Sequence, residues 1–491
     1  MTGQRGTAVP ERAGVVAGAV AETVAGVGAG AVGDAVGSVR DQAVTGLLAL
    51  SGRALPLLRE WVGAEPDCGV ARALLTLATA DHLDDATLKR ELETAYRDAR
   101  AVGEQQASVV YAVYLHTHRQ YRLTADHLVV HFARWPADQL AGLMVGAFSS
   151  SGDPAYRAHG DALVQEQSAL AGPDNWPWTS WLASTRAEQG RVREAYELAG
   201  HALSLCPRSG VAAHALAHAE HELGSGPASV DFLDRWLAAD PQAVQVRHLN
   251  WHAALQSIAG GDFPDARRRA DAALARTDVG MRSATNWRLL LAGQTPAGHS
   301  DPGQVRELLA APGGMAEVFH TFNLALALAV EAATEDLYTL ARRAAADERP
   351  DYREVLAPVV RALAEVTAGR PRAAVELLTG LGRQAERIGG VRVEREIIQD
   401  TLARALVDAG EHERAAGLLR HRTTTRRHHA YEDLLLAARP RPAGTACPTP
   451  GMPGSSRTTA PPSPDEPTGQ RPAGRGRLRG MTYGIESHPA R

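Results

Sequence analysis

The sequence predicts an all-α fold, a right-handed α-solenoid built from helical hairpins, and three observations predict it. The chain of 491 residues is 44% hydrophobic but only 5% aromatic, and alanine-rich chains of this kind form closely packed helices because alanine has the highest helix propensity. A spacing of small residues and glycines recurs along the middle of the chain. Prolines follow two of these units at the same offset. Each unit is therefore expected to be a helix pair that packs on the next.

The repeated unit has a small residue, a glycine seven positions later and a second small residue five positions beyond the glycine. The small residues let the two helices of a hairpin approach closely, and the glycine takes the turn between them, where a positive φ is needed. The matching sets are Ala183, Gly190 and Ala195; Ala217, Gly224 and Ser229; Ala254, Gly261 and Ala266; Ala362, Gly369 and Ala374; Ala403, Gly410 and Ala415.

The prolines set the length of the unit. Pro207 and Pro241 each follow the second helix of a hairpin and lie 34 residues apart, which is the length of a tetratricopeptide repeat. A proline at this place stops the helix because it has no N–H to continue the hydrogen bonding. Later units drift in length, since Gly369 and Gly410 are 41 residues apart. The pattern therefore predicts a divergent tetratricopeptide array.

Composition divides the chain into three parts. Residues 1–40 are rich in alanine and glycine, and Glu22 and Asp34 interrupt them, so we expect a disordered or frayed helical leader and not a membrane span. Residues 41–438 are expected to hold the helical array. Residues 439–491 are rich in proline, glycine and arginine and are expected to be a disordered tail, because they cannot bury enough apolar surface to offset their ordering entropy.

Charge and cysteine usage exclude several functions. The 52 basic and 56 acidic residues nearly balance, which argues against a nucleic-acid or membrane partner. Three separated cysteines with no CxxC pair fit a reducing compartment, and we expect a cytoplasmic protein. No phosphate-binding loop and no nucleophile elbow is present. The sequence therefore gives no reason to assign catalytic residues or a cofactor.

Histidines cluster in two consecutive units. Residues 214–222 read HALAHAEHE and residues 247–254 read RHLNWHAA, which together place five of the 19 histidines in a short window. His214, His218 and His221 share one face of a helix, and His248 and His252 share one face of the corresponding helix in the next unit. In the repeat register, both faces are expected to line the concave groove of the array.

Three roles are open for these histidines. Pairs of histidines at i and i+4 on neighbouring helices have a spacing that can bind Zn²⁺ or a similar ion, although HALAH lacks the glutamate of the HExxH motif. Hydrogen-bonded packing in a groove or interface is the more common role, and an acid–base or pH-sensing role is the third. Trp251, between His248 and His252, is expected either to fill space between helices or to stack on a ligand.

Several segments resemble the tetratricopeptide repeat protein 38 family. They are HALAH, HLNWHAAL, TNWRLLL, FNLALALA and RIGGVRVERE, in that order, and the resemblance runs from about Ala43 to about Arg439. It implies a cytosolic helical-repeat protein and transfers no established activity. Where the family carries an acidic residue and a histidine after Phe-Asn, this chain has Leu324 and Leu326. Where the family carries Gly-Gly-Ser followed by Ala-Gln-Arg, the Gly389–Gly390 pair is followed by VRVER.

If the polar residues of the family form a catalytic or metal-binding site, these departures imply that this chain has lost part of that site. The function expected from the sequence is therefore a scaffold that binds an unidentified peptide or protein in its groove, and the alternative is a metal-binding protein or a hydrolase-like enzyme that uses the histidines. The groove residues expected to contact the partner are His214, His218, His221, Glu222, His248, Trp251 and His252.

Overall fold

The computed structural model describes residues 38–274, 279–311 and 313–438, and throughout these residues the secondary structure is helical, with no strand. The predicted all-α class is therefore confirmed. Residues 1–37 of the predicted leader and the whole predicted tail, 439–491, lie outside the described residues. Within the described ranges, no helix combines the length and the apolar character that crossing a membrane requires.

The first half of the chain forms α1 (Val39–Leu48), α2 (Ala54–Ala64), α3 (Gly69–Thr79), α4 (Asp85–Val102), α5 (Glu104–Thr117), α6 (Tyr121–Arg134), α7 (Gln139–Gly142), α8 (Ala147–Ser150), α9 (Pro154–Ala171), α10 (Trp176–Glu188), α11 (Val192–Leu205) and α12 (Gly210–Leu223). The second half forms α13 (Pro227–Ala239), α14 (Val246–Ala259), α15 (Phe263–Ala272), α16 (Val279–Leu291), α17 (Pro302–Ala310), α18 (Val318–Val330), α19 (Thr334–Ala345), α20 (Ala357–Thr367), α21 (Pro371–Leu381), α22 (Arg392–Asp408), α23 (His412–Thr425) and α24 (Ala430–Ala437). A π-helical segment (Tyr352–Leu356) precedes α20, and a 3₁₀ segment (Gly382–Ile388) follows α21.

The repeat spacing correctly locates the helical hairpins. All ten small residues of the five sets are completely buried, and all five glycines have positive φ, between +63° and +83°. The glycines lie in the turns of the pairs α10–α11, α12–α13, α14–α15, α20–α21 and α22–α23. Side chains larger than alanine at the buried positions would push the paired helices apart, so this register is what lets them pack closely.

The prolines and tryptophans also lie where the sequence places them. Pro207 and Pro241 follow the ends of α11 and α13. Trp236, in α13, is buried between helices and donates a hydrogen bond from Nε1 to the Pro207 carbonyl oxygen at 3.0 Å. Trp178 lies on the first turn of α10, directly after Pro177, and packs edge-on against Phe132, with ring centroids 5.4 Å apart. Buried Trp side chains therefore fix the distances between neighbouring hairpins.

Both ends of the described chain pack back on the central hairpins. The carbonyl oxygen of Ala49, after α1, accepts a hydrogen bond from Gly210 N at 2.7 Å. At the other end, His428 N donates to the Gly224 carbonyl oxygen at 3.1 Å, and helices α22 to α24 contact α12, α14 and α16. Helices of the first and last thirds of the chain therefore cover the central helices that carry the histidines.

Candidate functional site

Helix α12 carries three of the histidines. Its N-terminus is capped by Ser209, whose hydroxyl accepts a hydrogen bond from Ala212 N, and it ends at Gly224, which has φ +63°. A left-handed residue of this kind is most readily glycine because glycine has no Cβ. Every residue from 210 to 221 is buried, so the alanine-rich helix has no solvent-exposed face along these three turns.

Helix α14 lies beside α12 and carries the other histidines. His248 on its first turn and His252 on its second contact His214 and His218 of α12. The imidazole centroids are 4.5 Å apart for His214 and His248 and 4.6 Å apart for His218 and His252. Small residues on both helices allow this close approach, which is the packing consequence of the repeat register.

The four imidazoles form one cluster, called here the four-histidine cluster: His214, His218, His248 and His252. One ligand nitrogen from each lies within 4.8 Å of those of the other three. The Nε2 atoms of His214 and His218 are only 2.9 Å apart. No carboxylate belongs to this group among the described residues.

The cluster is buried, and part of its hydrogen-bonding capacity is unused. His214 and His252 are each 1% exposed. Among the described residues, neither nitrogen of His252 has a hydrogen-bond partner, and Nε2 of His248 has none. Burial lowers the pKa of His218 to about 3 and that of His248 to about 4, and the charges of neighbouring imidazoles lower the pKa of His218 further. Neutral imidazole, the form that binds metals, is therefore the state at neutral pH.

His221 and Glu222 do not join the cluster. His221 Nε2 lies 2.9 Å from Oε2 of Glu396 in α22, and Glu222 forms ion pairs with Arg392 at 3.0 Å and Arg426 at 3.5 Å. At these positions α12 faces helices α22 and α23 instead of α14. The two residues therefore hold the C-terminal helices against the central hairpin.

The structure differs from the expected open groove. The seven residues were expected to line a concave surface, but five of them are buried, and Glu222 and His248 are half-buried. The C-terminal helices and the α14 neighbour cover the face of α12. Trp251 is 2% exposed and packs in an apolar cluster with Val391 and Val393, so its ring is not available for stacking on a ligand.

A cavity of about 700 Å³ adjoins the four-histidine cluster, a volume typical of small-molecule sites. His214 and His248 form part of its wall, so the cluster lies at one end of the cavity. The rest of the wall comes mainly from segments that are far apart in the sequence. They are residues 119–123, 149–152, 316–319, 349–352 and 387–391, together with Glu394. The cavity therefore exists only because both ends of the chain pack on the centre.

A smaller pocket of about 110 Å³ opens beside this cavity and shares Ser149, Gln245 and Val391 with it. Its wall is mainly apolar and includes the side chains of Phe148 and Trp181. We call it the side pocket. It extends the site from the larger cavity into a space between the N-terminal and central helices.

Sequence reasoning did not identify the charged residues of the cavity wall, and Glu394 is one of them. Glu394 lies on the first turn of α22 and lines the cavity. The preceding pair, Gly389 and Gly390, ends the 3₁₀ segment with φ values of +88° and +71°. The only cue in the sequence is a carboxyl group four residues after this glycine pair, and that spacing does not show which wall the carboxyl faces.

The two leucines that depart from the family resemblance lie elsewhere. Leu324 and Leu326 in α18 are 0% and 1% exposed and belong to the hydrophobic core that extends from α14 to α24. Neither lines the cavity, and neither belongs to the four-histidine cluster. Both leucines therefore pack in the core, away from the four histidines.

Chemically, the site combines four neutral nitrogen donors with an adjoining cavity. Imidazole donors suit Zn²⁺, Cu²⁺, Ni²⁺ and Fe²⁺, whereas Mg²⁺ and Ca²⁺ prefer oxygen.

Comparison of the sequence with models of known protein families, and with curated proteins, finds no match.

Proposed function

We propose that the protein binds one transition-metal ion through His214, His218, His248 and His252. We further propose that this ion interacts with a small molecule bound in the adjoining cavity. The observation that carries the proposal is the convergence of four imidazoles, three of them buried and that of His248 half-buried, with one ligand nitrogen of each within 4.8 Å of the others. Zn²⁺ fits this donor set best, because it accepts four nitrogen ligands in a tetrahedral arrangement.

The distances support this assignment. Zn–N bonds of about 2.0–2.1 Å place the nitrogens of a tetrahedral site roughly 3.3 Å apart. The spacings here run from 2.9 Å between two Nε2 atoms to at most 4.8 Å. Small side-chain rotations are enough to form the site, and the i, i+4 pairs on α12 and α14 approach the ion from two sides.

Packing alone accounts poorly for the cluster. A buried donor or acceptor with no partner costs about 1–3 kcal/mol, and three such nitrogens occur on His248 and His252. Their sum approaches the net stability of a typical domain, about 5–15 kcal/mol. A bound ion would satisfy the lone pairs that point into the cluster, so a metal explains why polar side chains occupy a position where aliphatic residues would pack at less cost.

The adjoining cavity indicates which class of ligand the ion interacts with. His214 and His248 line the cavity, and His248 is only half-buried. A ligand that displaces or approaches His248 would reach the ion, whereas a closed four-histidine site would be structural. Binding of a peptide in an open groove, the function first expected from the sequence, would require α22 to α24 to leave α12 and α14. Burial therefore favours a small molecule over a peptide.

The repeat architecture belongs to the same proposal. We infer that the hairpins form a divergent tetratricopeptide array related to the tetratricopeptide repeat protein 38 family. The support is the register of five hairpins with fully buried small residues and glycine turns. A cytoplasmic location is proposed from the two free thiols of Cys68 and Cys206, which a reducing compartment would preserve.

The test is the metal content of protein purified without an affinity tag, measured by inductively coupled plasma mass spectrometry. The full chain is expected to hold about one Zn²⁺ or similar ion, or to take one up on addition. The His214→Ala/His252→Ala double variant is expected to hold none. A matched control is His127→Ala/His131→Ala, which removes another i, i+4 histidine pair, from α6, outside the cluster.

Circular dichroism shows whether each variant folds, and His252→Leu replaces the double variant if that variant does not. Wild-type protein that contains no metal and whose thermal midpoint does not rise with added Zn²⁺, Cu²⁺ or Ni²⁺ would refute the proposal. So would a folded double variant that retains the full metal content.

A further inference from the structure

One carboxyl group in the cavity wall lacks the ion pair that its charged neighbours have. Four arginines and three acidic residues line the cavity. Arg119 pairs with Glu317 at 2.9 Å, and Arg387 pairs with Asp351 at 2.6 Å. Arg122 and Arg349 pair with acidic residues just outside the wall. Among the described residues, Glu394 is the remaining charged residue of the wall, and it has no ion pair.

The backbone holds this carboxyl at the cavity. Val391 N donates a hydrogen bond to Glu394 Oε2 at 2.7 Å, which places the side chain over the first turn of α22. Among the described residues, Oε1 has no hydrogen-bond partner. One oxygen is therefore anchored, and the other is available to a ligand.

An aromatic ring lies beside the carboxyl because the intervening residue is glycine. A Cβ on Gly390 would lie 2.6 Å from the Phe319 ring and 2.7 Å from Glu394 Oε2, far inside van der Waals contact. With φ +71° as well, this position admits glycine alone without strain. The Phe319 side chain, which also lines the cavity, and the carboxyl of Glu394 thus approach the same point from two sides.

The charges around Glu394 leave it poorly compensated. Burial is the main cause that raises its pKa, to about 7, and the charge of Glu188 raises it further. Arg395 and Arg288 lower it, but each is engaged with another carboxylate, Arg395 with Glu188 and Arg288 with Asp400, both at 3.3 Å. A carboxylate in this setting gains most from a cation that arrives with the ligand.

We propose that the cavity binds a small organic ammonium ion, which Glu394 holds through a charge-assisted hydrogen bond and the Phe319 ring contacts through its face. A carboxylate beside an aromatic ring is the chemical complement of an ammonium group. Val391 lies three residues from Glu394 and forms part of both the cavity and the side pocket. An aryl or alkyl group carried by the amine would therefore extend into the side pocket, against Phe148 and Trp181.

This inference does not depend on the proposed metal function. The ammonium position is defined by α18 and α22, and the metal position by α12 and α14. The two positions are in the same cavity, so a ligand that bridges them would carry an amine at one end and a metal-binding group at the other.

The test uses benzylamine as the probe and benzyl alcohol and benzoate as its neutral and anionic counterparts, at pH 8. Dissociation constants are measured by ligand-detected NMR on the full chain after metal has been removed with a chelator. Benzylamine is expected to bind wild type at least about tenfold more tightly than benzyl alcohol, because a charge-assisted hydrogen bond outweighs a neutral one.

Three variants locate the interaction. Glu394→Gln is expected to lose the preference for the amine and to keep its affinity for the alcohol. Phe319→Leu is expected to weaken the amine severalfold more than the alcohol. Glu335→Gln, which removes an exposed carboxylate on the first turn of α19, is the matched control and is expected to bind all three probes as wild type does.

Equal affinity for amine and alcohol in wild type, a preference for benzoate, or an amine preference that survives in Glu394→Gln would overturn the proposal. Metal content measured on the same samples separates the two proposals. Metal-free wild type that still prefers the amine supports this inference whatever the fate of the metal proposal. An amine that binds only when Zn²⁺ is present lies on the metal, and this outcome refutes the role assigned to Glu394.

Discussion

Replacement of His252 by leucine is expected to stabilise the metal-free protein and to remove most of the stabilisation that a bound metal ion provides. His252 is 1% exposed, and both of its nitrogens are buried without a partner among the described residues. Two unsatisfied groups cost about 1–3 kcal/mol each, and the slightly larger leucine adds about 1 kcal/mol of packing strain. The free energy of unfolding of metal-free His252→Leu is therefore expected to rise by about 1–5 kcal/mol.

The variant is expected to lose most of the stabilisation by metal. A ligand at a concentration a hundredfold above its dissociation constant stabilises the folded state by about 2.7 kcal/mol. Wild type is expected to gain this amount from Zn²⁺, whereas His252→Leu, with three imidazoles left, is expected to gain less than about 1 kcal/mol at the same Zn²⁺ concentration. The measurement is urea unfolding followed by circular dichroism, once with a chelator and once with Zn²⁺ at a concentration set from calorimetric titration of wild type.

His116→Leu is the matched control. His116 is also buried, its Nδ1 has no partner among the described residues, and burial lowers its pKa to about 4, but it lines the side pocket and lies outside the four-histidine cluster. This variant is expected to keep the full gain from Zn²⁺. If His252→Leu gains as much from Zn²⁺ as wild type, or if its metal-free form is destabilised by more than about 2 kcal/mol, the reasoning about the cluster is wrong.

Two further predictions concern the helices that frame the site. Burial raises the pKa of Glu220 from 4.5 to about 7, so the folded state binds the extra proton between these values and stability falls as pH rises through them. Glu220→Gln is expected to raise the free energy of unfolding by about 3 kcal/mol at pH 8 and by about 1 kcal/mol at pH 5, and an equal gain at both pH values in urea unfolding would contradict this. Gly390→Ala is expected to cost several kcal/mol, because its Cβ would overlap the Phe319 ring and Glu394 at positive φ. Gly410→Ala, also at positive φ but with nothing within 4 Å, is expected to cost about 1 kcal/mol, and thermal unfolding of the two variants with equal midpoints would contradict the assigned crowding.

The histidine cluster shows which side-chain contacts helical periodicity predicts and which it does not. Spacing on one helix brings His214 and His218 onto one face, and the repeat unit brings the face of His248 and His252 beside it. The structure confirms that these four side chains come together. His221 has the same helical periodicity, yet it pairs with Glu396, 175 residues further along the chain. Periodicity places a side chain on a face of its helix, but it does not say which distant helix covers that face.

The cavity could not be predicted from the sequence, for a related reason. Its wall joins segments from residue 119 to residue 394, and their meeting depends on how helices that are far apart in the sequence pack against one another. Glu394 lies in RIGGVRVERE, one of the segments that carry the family resemblance. Its position at the cavity follows from the packing of the Gly389–Gly390 turn, just before α22, against Phe319, which no local pattern encodes.

The sequence by itself determined the helical class, the hairpin register and the four histidines, because helix propensity, close packing at small residues and the glycine turn act within about one repeat of the chain. The tertiary structure alone decided that the expected groove is closed, that His221 and Glu222 hold the C-terminal helices, and that a cavity opens beside the histidines. Those outcomes depend on contacts across some 200 residues, such as the one between His428 and Gly224, whose geometry is fixed only when the whole array has folded.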